Sequence, residues 1–236
     1  MGALVKIAKA NYLVEASYSL TLQEQRLILA SLSKIDSRVK PSKEITLSAS
    51  EYSVLMKIDV KNAHRELFKA SQKLYERSIV VKDPEKTEEF RWIQKKISYQ
   101  KGEGKIKLFW SDDVLTYIGQ LKRRFTTYRL ADVANLSTSY AIRLYELLMQ
   151  FNSTKQRSIS VSDFRSLLKL ENKYPLFRDL NKWVIKPAVK EINASSDLDV
   201  FYSTRKQGKN IAELQFDLQE KKQKHFDFFV SDCDSQ

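Results

Sequence analysis

Four cations at four-residue spacing, Lys61, Arg65, Lys69 and Lys73, recur later in the chain as Arg178, Lys182, Lys186 and Lys190. Residues four apart stack on one face of an α-helix, so each stretch predicts a helix with a column of positive charge outside and apolar residues within. Like charges at this spacing repel, so neither column helps its helix to form, and a polyanion is the natural counterpart. One such column is commonly a solvated face. Two in matching contexts point to a duplicated DNA-reading module.

The local context of each column supports the duplication. Thr21 and Glu24 form a capping box ahead of an amphipathic helix expected over 21–35. A short strand over 44–47 follows, and Ser48 to Glu51 is a second capping box opening a helix to Lys57. Ile58 and Asp59 make a tight turn into the first column helix, about 60–77, whose buried side is Ala63, Leu67, Ala70 or Ser71, and Leu74. Hydrophobic alternation then replaces helical spacing. Residues 78–81 read as one strand, and 90–100 with 105–110 as a hairpin whose tip, 101–105, carries two glycines between Lys101 and Lys105. Two helices joined by a tight turn and followed by a hairpin make a helix-turn-helix with a wing.

The second half repeats this order. Ser137 is expected to cap a helix through Phe151, and 158–161 echoes the first short strand. The stretch 163–170 matches 51–58 nearly type for type. The second column helix, about 174–194, is expected to bury Phe177, Leu180, Val184, Ala188 and Ile192. Residues 198–204 and 210–218 form its hairpin, with Arg205, Lys206 and Lys209 at the tip. Pro187 removes a backbone hydrogen bond and bends this helix, and a sharp bend would take Lys190 out of the column. The expected class is therefore α+β, two tandem winged-helix domains at 1–131 and 132–220, with a linker near 131–136 and a tail over 221–236. The basic run Lys122, Arg123 and Arg124 before the linker reads equally as a solvated loop or as a phosphate contact.

Composition narrows the function. The 236 residues carry 41 Lys and Arg against 29 Asp and Glu, a net charge of +12, which favours nucleic acid or an anionic membrane surface as partner. No apolar run approaches the ~20 residues of a membrane span, and residues 1–12 lack the apolar core of a signal peptide. Cys233 is the single cysteine, so no internal disulfide or cysteine zinc site exists, and a reducing cytoplasm is the expected location. Cys233 reads as a bystander. His64 and His225 are far apart and lack ligand spacing, and none of the five glycines belongs to a phosphate-cradling loop. Asp112 and Asp113 follow Ser111 and read as a helix start. No catalytic residue, metal or cofactor is expected. The paired histidines by which nicking enzymes hold a metal are missing, which argues against nicking chemistry.

Several segments resemble the Rep initiator family of theta-replicating bacterial plasmids. They are 11–29, which resembles the family's opening helix; 125–130 and 139–148, the start of its second domain; and 189–193 with 197–200, the end of its second reading helix. The run Arg143, Leu144, Tyr145, Glu146, Leu147, Leu148 is the most specific piece. The resemblance implies a monomer that binds directly repeated origin sequences (iterons). It also implies dimers, formed through the first domain, that bind an operator inverted repeat and repress the protein's own gene, with host initiator and helicase as further partners. It places base contacts on Arg178, Asn181 and Lys182, and a second grip on Lys61, Asn62 and Arg65. Trp183 stands where relatives tend to carry a second basic residue and is expected to pack inward rather than contact thymine methyls or sugar. From the residues alone, a winged-helix transcription regulator with no origin role remains the alternative, because both place helices in major grooves.

Overall fold

A computed structural model describes residues 5–82, 85–98 and 104–221. The chain opens with β1 (Lys6–Ala10) and a single turn, α1 (Asn11–Val14). Then α2 (Leu22–Leu32) begins at the expected capping box: the Glu24 N–H donates to Thr21 Oγ1 and the Thr21 N–H to the Glu24 carboxylate. Strand β2 (Glu44–Ser48) runs into α3 (Ala49–Met56), capped by Ser48 and Glu51 and closed by Lys57 in the left-handed region, φ 53°. The first column helix is α4 (Val60–Leu74), started by the Asp59 carboxylate accepting from the Lys61 N–H at 2.8 Å.

Strands β3 (Ser78–Lys82), β4 (Thr87–Arg91), β5 (Ile93–Ser98) and β6 (Lys105–Trp110) follow. The expected strand over 90–100 is thus two strands. Trp92 and Ile93 are both fully buried, and adjacent residues cannot face one side of a flat strand, so the chain bends there. Its first part pairs with β3, and only β5 joins β6 in the wing. The helix α5 (Asp112–Ile118) starts where Ser111 Oγ accepts from the Val114 N–H, and Asp112 pairs with Lys43 at 2.7 Å, so this acidic pair has a structural role. Strand β7 (Phe125–Arg129) returns antiparallel to β1.

Residues 131–136 are not a free linker. They lie in and just after α6 (Leu130–Ala134), with Leu130, Val133, Ala134 and Leu136 buried and Asp132 gripped by Nε and Nη2 of Arg129 at 2.7 and 2.8 Å. Apolar residues at helical spacing fold the segment onto the core. After α6 come α7 (Ser139–Met149), β8 (Gln156–Ser160), α8 (Val161–Leu167) and α9 (Phe177–Leu180). A π-helical turn over Asn181–Ile185 leads into α10 (Lys186–Ser195), then β9 (Leu198–Gln207) and β10 (Asn210–Glu220). The cap of α7 is Thr138, not Ser137: Thr138 Oγ1 accepts from the Ala141 N–H, and both hydroxyls donate to Glu191 of α10 at 2.6 Å.

Sheet order makes the duplication explicit. One three-stranded sheet runs β2-β6-β5 and the other β8-β10-β9, all antiparallel, so in each the last strand of the wing is central. In each, the helix before the first sheet strand packs on the column helix, α2 on α4 and α7 on α10. Serine caps repeat as well. Ser48 Oγ accepts from the Glu51 N–H at 3.1 Å, and Ser160 Oγ from the Asp163 N–H at 3.0 Å.

One buried polar cluster ties the ends of this architecture together. Glu146 of α7 is enclosed and receives Lys9 Nζ and the Tyr128 hydroxyl at 2.5 Å, Arg143 at 3.1 Å and Tyr18 at 3.3 Å. Arg143 also donates to the carbonyls of Val14 and Ala16. Burial alone would raise the Glu146 carboxyl, but Lys9, Arg143 and the Tyr128 hydroxyl outweigh it and hold it below the usual carboxylate range.

Candidate nucleic-acid interface

Amphipathic spacing delivers the first column as expected. On α4, Ala63, Leu67, Ala70, Ser71 and Leu74 are buried, while Lys61, Arg65, Lys69 and Lys73 are exposed. Asn62 is exposed too, and its side-chain oxygen accepts from Arg65 at 2.9 Å. His64 lies against Phe68, ring centroids 4.7 Å apart, on the outer side of the helix. The first wing stands beside this helix: the Ala49 N–H donates to the Gly104 carbonyl at 2.7 Å, and a Cβ on Gly104 would sit 3.5 Å from the His64 ring. Lys105 is exposed at the first position of β6, whereas Lys101 lies outside the described residues.

The second column differs from a single helix over 174–194. Tyr174 adopts φ 54° and regular helix begins only at Phe177, which is half-buried; Leu180, Val184, Ala188 and Ile192 are buried as expected. Pro187 has no N–H, and its ring would press on the carbonyl four residues back. The chain answers with the π turn just upstream, where the Lys186 N–H reaches the Asn181 carbonyl five residues back. The break therefore falls between Lys182 and Lys186. Lys190 does not leave the column; it shares one face of α10 with Lys186, and Arg178, Lys182, Lys186 and Lys190 are all exposed.

Two residues in this helix contradict their expected placement. Trp183 does not pack inward: it is 56% exposed, with Lys182 Nζ 4.6 Å from its ring centroid. The next two residues, Val184 and Ile185, already fill the inner side, so the indole is turned out. Asn181 is half-buried, and its side-chain oxygen accepts from the Tyr202 hydroxyl at 2.6 Å. Through that bond Asn181 ties the helix to its hairpin.

In the second wing the turn is confined to Gly208 and Lys209, Gly208 having φ 64°. Arg205 and Lys206, expected at the tip, belong to β9, where both are exposed, with Arg205 3.7 Å from Glu213. Arg165, by contrast, turns inward and donates to the carbonyls of Lys173 and Tyr174 at 2.8 and 2.6 Å, fixing the turn between the two helices. The run Lys122, Arg123 and Arg124 is exposed. Among the described residues no group of three His, Cys, Asp or Glu is placed to hold a metal, and no helix is long and apolar enough to cross a membrane.

Sequence reasoning missed the buried cluster. Its signal was present in the motif at 143–148: Arg143 and Glu146 are its centre, and Tyr145 donates to Asp197 at 2.9 Å. The other motif residues are also scaffold. Asn193 caps both the Val200 N–H and carbonyl, at 2.7 and 2.9 Å, and Glu191 holds the start of α7.

Comparison with known proteins agrees with this architecture. The family profile described as "Initiator Replication protein, WH1" matches residues 6–149, and that described as "Initiator Rep protein, WH2" matches residues 160–218. An Escherichia coli "Replication initiation protein" is 31% identical over 217 residues, covering 87% of this chain and 67% of the relative. A second E. coli relative, an "Uncharacterized 27.6 kDa protein", is 26% identical over 221 residues, covering 87% of this chain and 92% of that protein. Among solved structures, the Pi initiator protein in complex with iteron DNA superposes with a TM-score of 0.80 at 22% identity, over 94% of this chain and 100% of that one. With both winged-helix profiles matched in order and together spanning most of its length, the chain belongs to the Rep family of replication initiator proteins.

Proposed function

We propose that this initiator works by gripping double-stranded origin DNA with both winged-helix modules at once, and that the DNA consists of direct repeats. The observation that carries this reading is the duplicated layout: each module presents an exposed cation column next to a hairpin that carries exposed cations. Arg178 and Lys182, in the N-terminal part of the second reading helix, take base contacts. Lys186, Lys190, Lys61, Arg65, Lys69 and Lys73 hold phosphate, with Arg205, Lys206, Lys209 and Lys105 acting from the wings. The boundary between modules falls near 131/132, a division supported by the packing of α7 on the second reading helix. A dimer formed through the first module represses the protein's own gene from an inverted repeat. Host initiator and helicase complete the partners, and the work is done in the bacterial cytoplasm without catalysis.

Footprinting of the full chain on DNA flanking its gene tests the reading. The expected result is protection of about two helical turns per monomer, repeated over tandem sites, since reading helices in successive major grooves lie ~34 Å apart. Protection of a single groove, or of a lone palindrome with no effect on plasmid maintenance, would overturn it. Supercoiled origin DNA incubated with the protein and magnesium should stay supercoiled.

A further inference from the structure

Resting on that reading, we propose that Trp183 is a sequence-specificity determinant, and that its indole packs on the C5-methyl group of a thymine in the major groove. Trp183 is more than half exposed on the helix proposed to read bases, while the inner side of the same turn is filled by Val184 and Ile185. The fold therefore does not need the ring where it is. It is flanked by the cations of one column: Lys182 lies 4.6 Å from its centroid and Lys186 is one turn on. The ammonium group over the ring limits its orientations, so an apolar surface is held out in the middle of a charged strip.

The π turn supplies the presentation. It spans Asn181–Ile185, and it places Lys182 and Trp183 next to each other on the outside, just before the helix resumes at Lys186. Cations approaching DNA bring this ring to the groove with them. Donors and acceptors cover the base edges there, and the thymine methyl is the one apolar group among them. An indole has a single donor and no acceptor, so it is poorly matched to most base edges and well matched to a methyl. Sugar or phosphate contact would use the same exposed ring but carry no base preference, and that difference is what the test reads.

The experiment uses the full chain and a duplex containing the site located by footprinting, with each thymine replaced singly by deoxyuridine, which removes only the methyl. Fluorescence anisotropy should show one position at which deoxyuridine weakens binding about fourfold, the worth of one buried carbon. Trp183→Ala should weaken binding to the thymine duplex and bind both duplexes equally, and Trp183→Phe should restore the preference. Wild-type binding that is indifferent to deoxyuridine at every position overturns the inference while leaving origin binding intact. So does Trp183→Ala retaining the wild-type thymine-to-deoxyuridine ratio. Absence of any sequence-specific complex overturns both readings. Matching thermal unfolding of wild type and Trp183→Ala, expected for an exposed side chain, excludes misfolding as the cause.

Discussion

Replacing Glu146 with Gln should destabilise the protein by about 3–5 kcal/mol, the range found when one member of a buried ion pair is removed. The cluster holds two cations, Lys9 and Arg143, against one carboxylate, and all three side chains are at most 3% exposed. Without the carboxylate the two cations are left unopposed in a dry environment. A glutamine oxygen can still accept two of the four donors, but its amide nitrogen turns a donor toward the others. For a chain of this size each kcal/mol shifts the melting temperature by roughly 2–4 °C, so a fall of roughly 6–20 °C is expected in thermal unfolding followed by circular dichroism. The pH dependence gives a second check. The Glu146 carboxyl is held below its ordinary value in the folded state, so its stabilisation is present above the unfolded carboxylate pKa, ~4.5, and is lost as pH falls through the lower folded value. The difference between wild type and Glu146→Gln should be flat from pH 7 to 5 and shrink below ~4.5. A melting temperature within 3 °C of wild type, about 1 kcal/mol, would refute the claim that the cluster holds the fold.

The remaining predictions concern the DNA. If ~6–10 phosphates are neutralised, affinity should fall by roughly 10³–10⁵ between 50 and 200 mM salt, and a nearly flat titration would mean that the columns are only solvated faces. Arg178→Ala and Lys182→Ala should each cost about 1–3 kcal/mol and relax preference at one base, measured on a panel of single-base variants, whereas Lys190→Ala should weaken all sequences alike. Tyr202→Phe removes the hydroxyl that occupies the Asn181 oxygen; it should lower stability by about 1 kcal/mol in denaturant titration, and an unchanged midpoint would show that this bond does not anchor helix to hairpin.

What the sequence made legible was the chemistry that is local. The Thr21 and Ser48 capping boxes, the Ser111 cap and the similarity in residue type of 51–58 and 163–170 each need only a few consecutive residues, and each appears in the fold. The cation columns were legible for the same reason. The cluster around Glu146 was not, because Lys9 and Glu146 are 137 positions apart and the pairing exists only once β1 has been laid beside β7. Pro187 announced a disturbance but not its form. The π turn keeps Lys190 with Lys186, displaces the break upstream and turns Trp183 outward, and no spacing rule distinguishes that from a simple kink. The split strand at Trp92 follows the same logic: two adjacent apolar residues fit an alternating pattern badly, but only the core opposite, with Tyr18 edge-on to Trp92 at 5.1 Å, decides which way the chain bends.

The helix found where a linker was expected changes how the two modules must meet DNA. A tether of six residues could extend to about 20 Å and let each module find its groove separately. Instead α6 is packed, and polar contacts cross from the first half to the second: Arg157 to Glu15 at 3.4 Å, Ser17 to Ser166 at 3.5 Å and Lys82 to Ser166 at 3.4 Å. Together with Arg143 holding the Val14 and Ala16 carbonyls, these fix the distance between the reading helices by packing. The DNA must then match the protein. Inserting one base pair between the two half-sites shifts one against the other by ~3.4 Å and rotates it by ~35°. A tethered pair of modules would absorb that shift, but a packed pair would have to break its junction or abandon one groove. We therefore expect one inserted base pair to shorten the footprint to a single module and to lower affinity at least tenfold, with Glu146→Gln, which loosens the junction, recovering part of the longer footprint. An inserted site that is protected over its full length by the wild-type protein would show that the junction yields, and that the packing around α6 does not set the spacing.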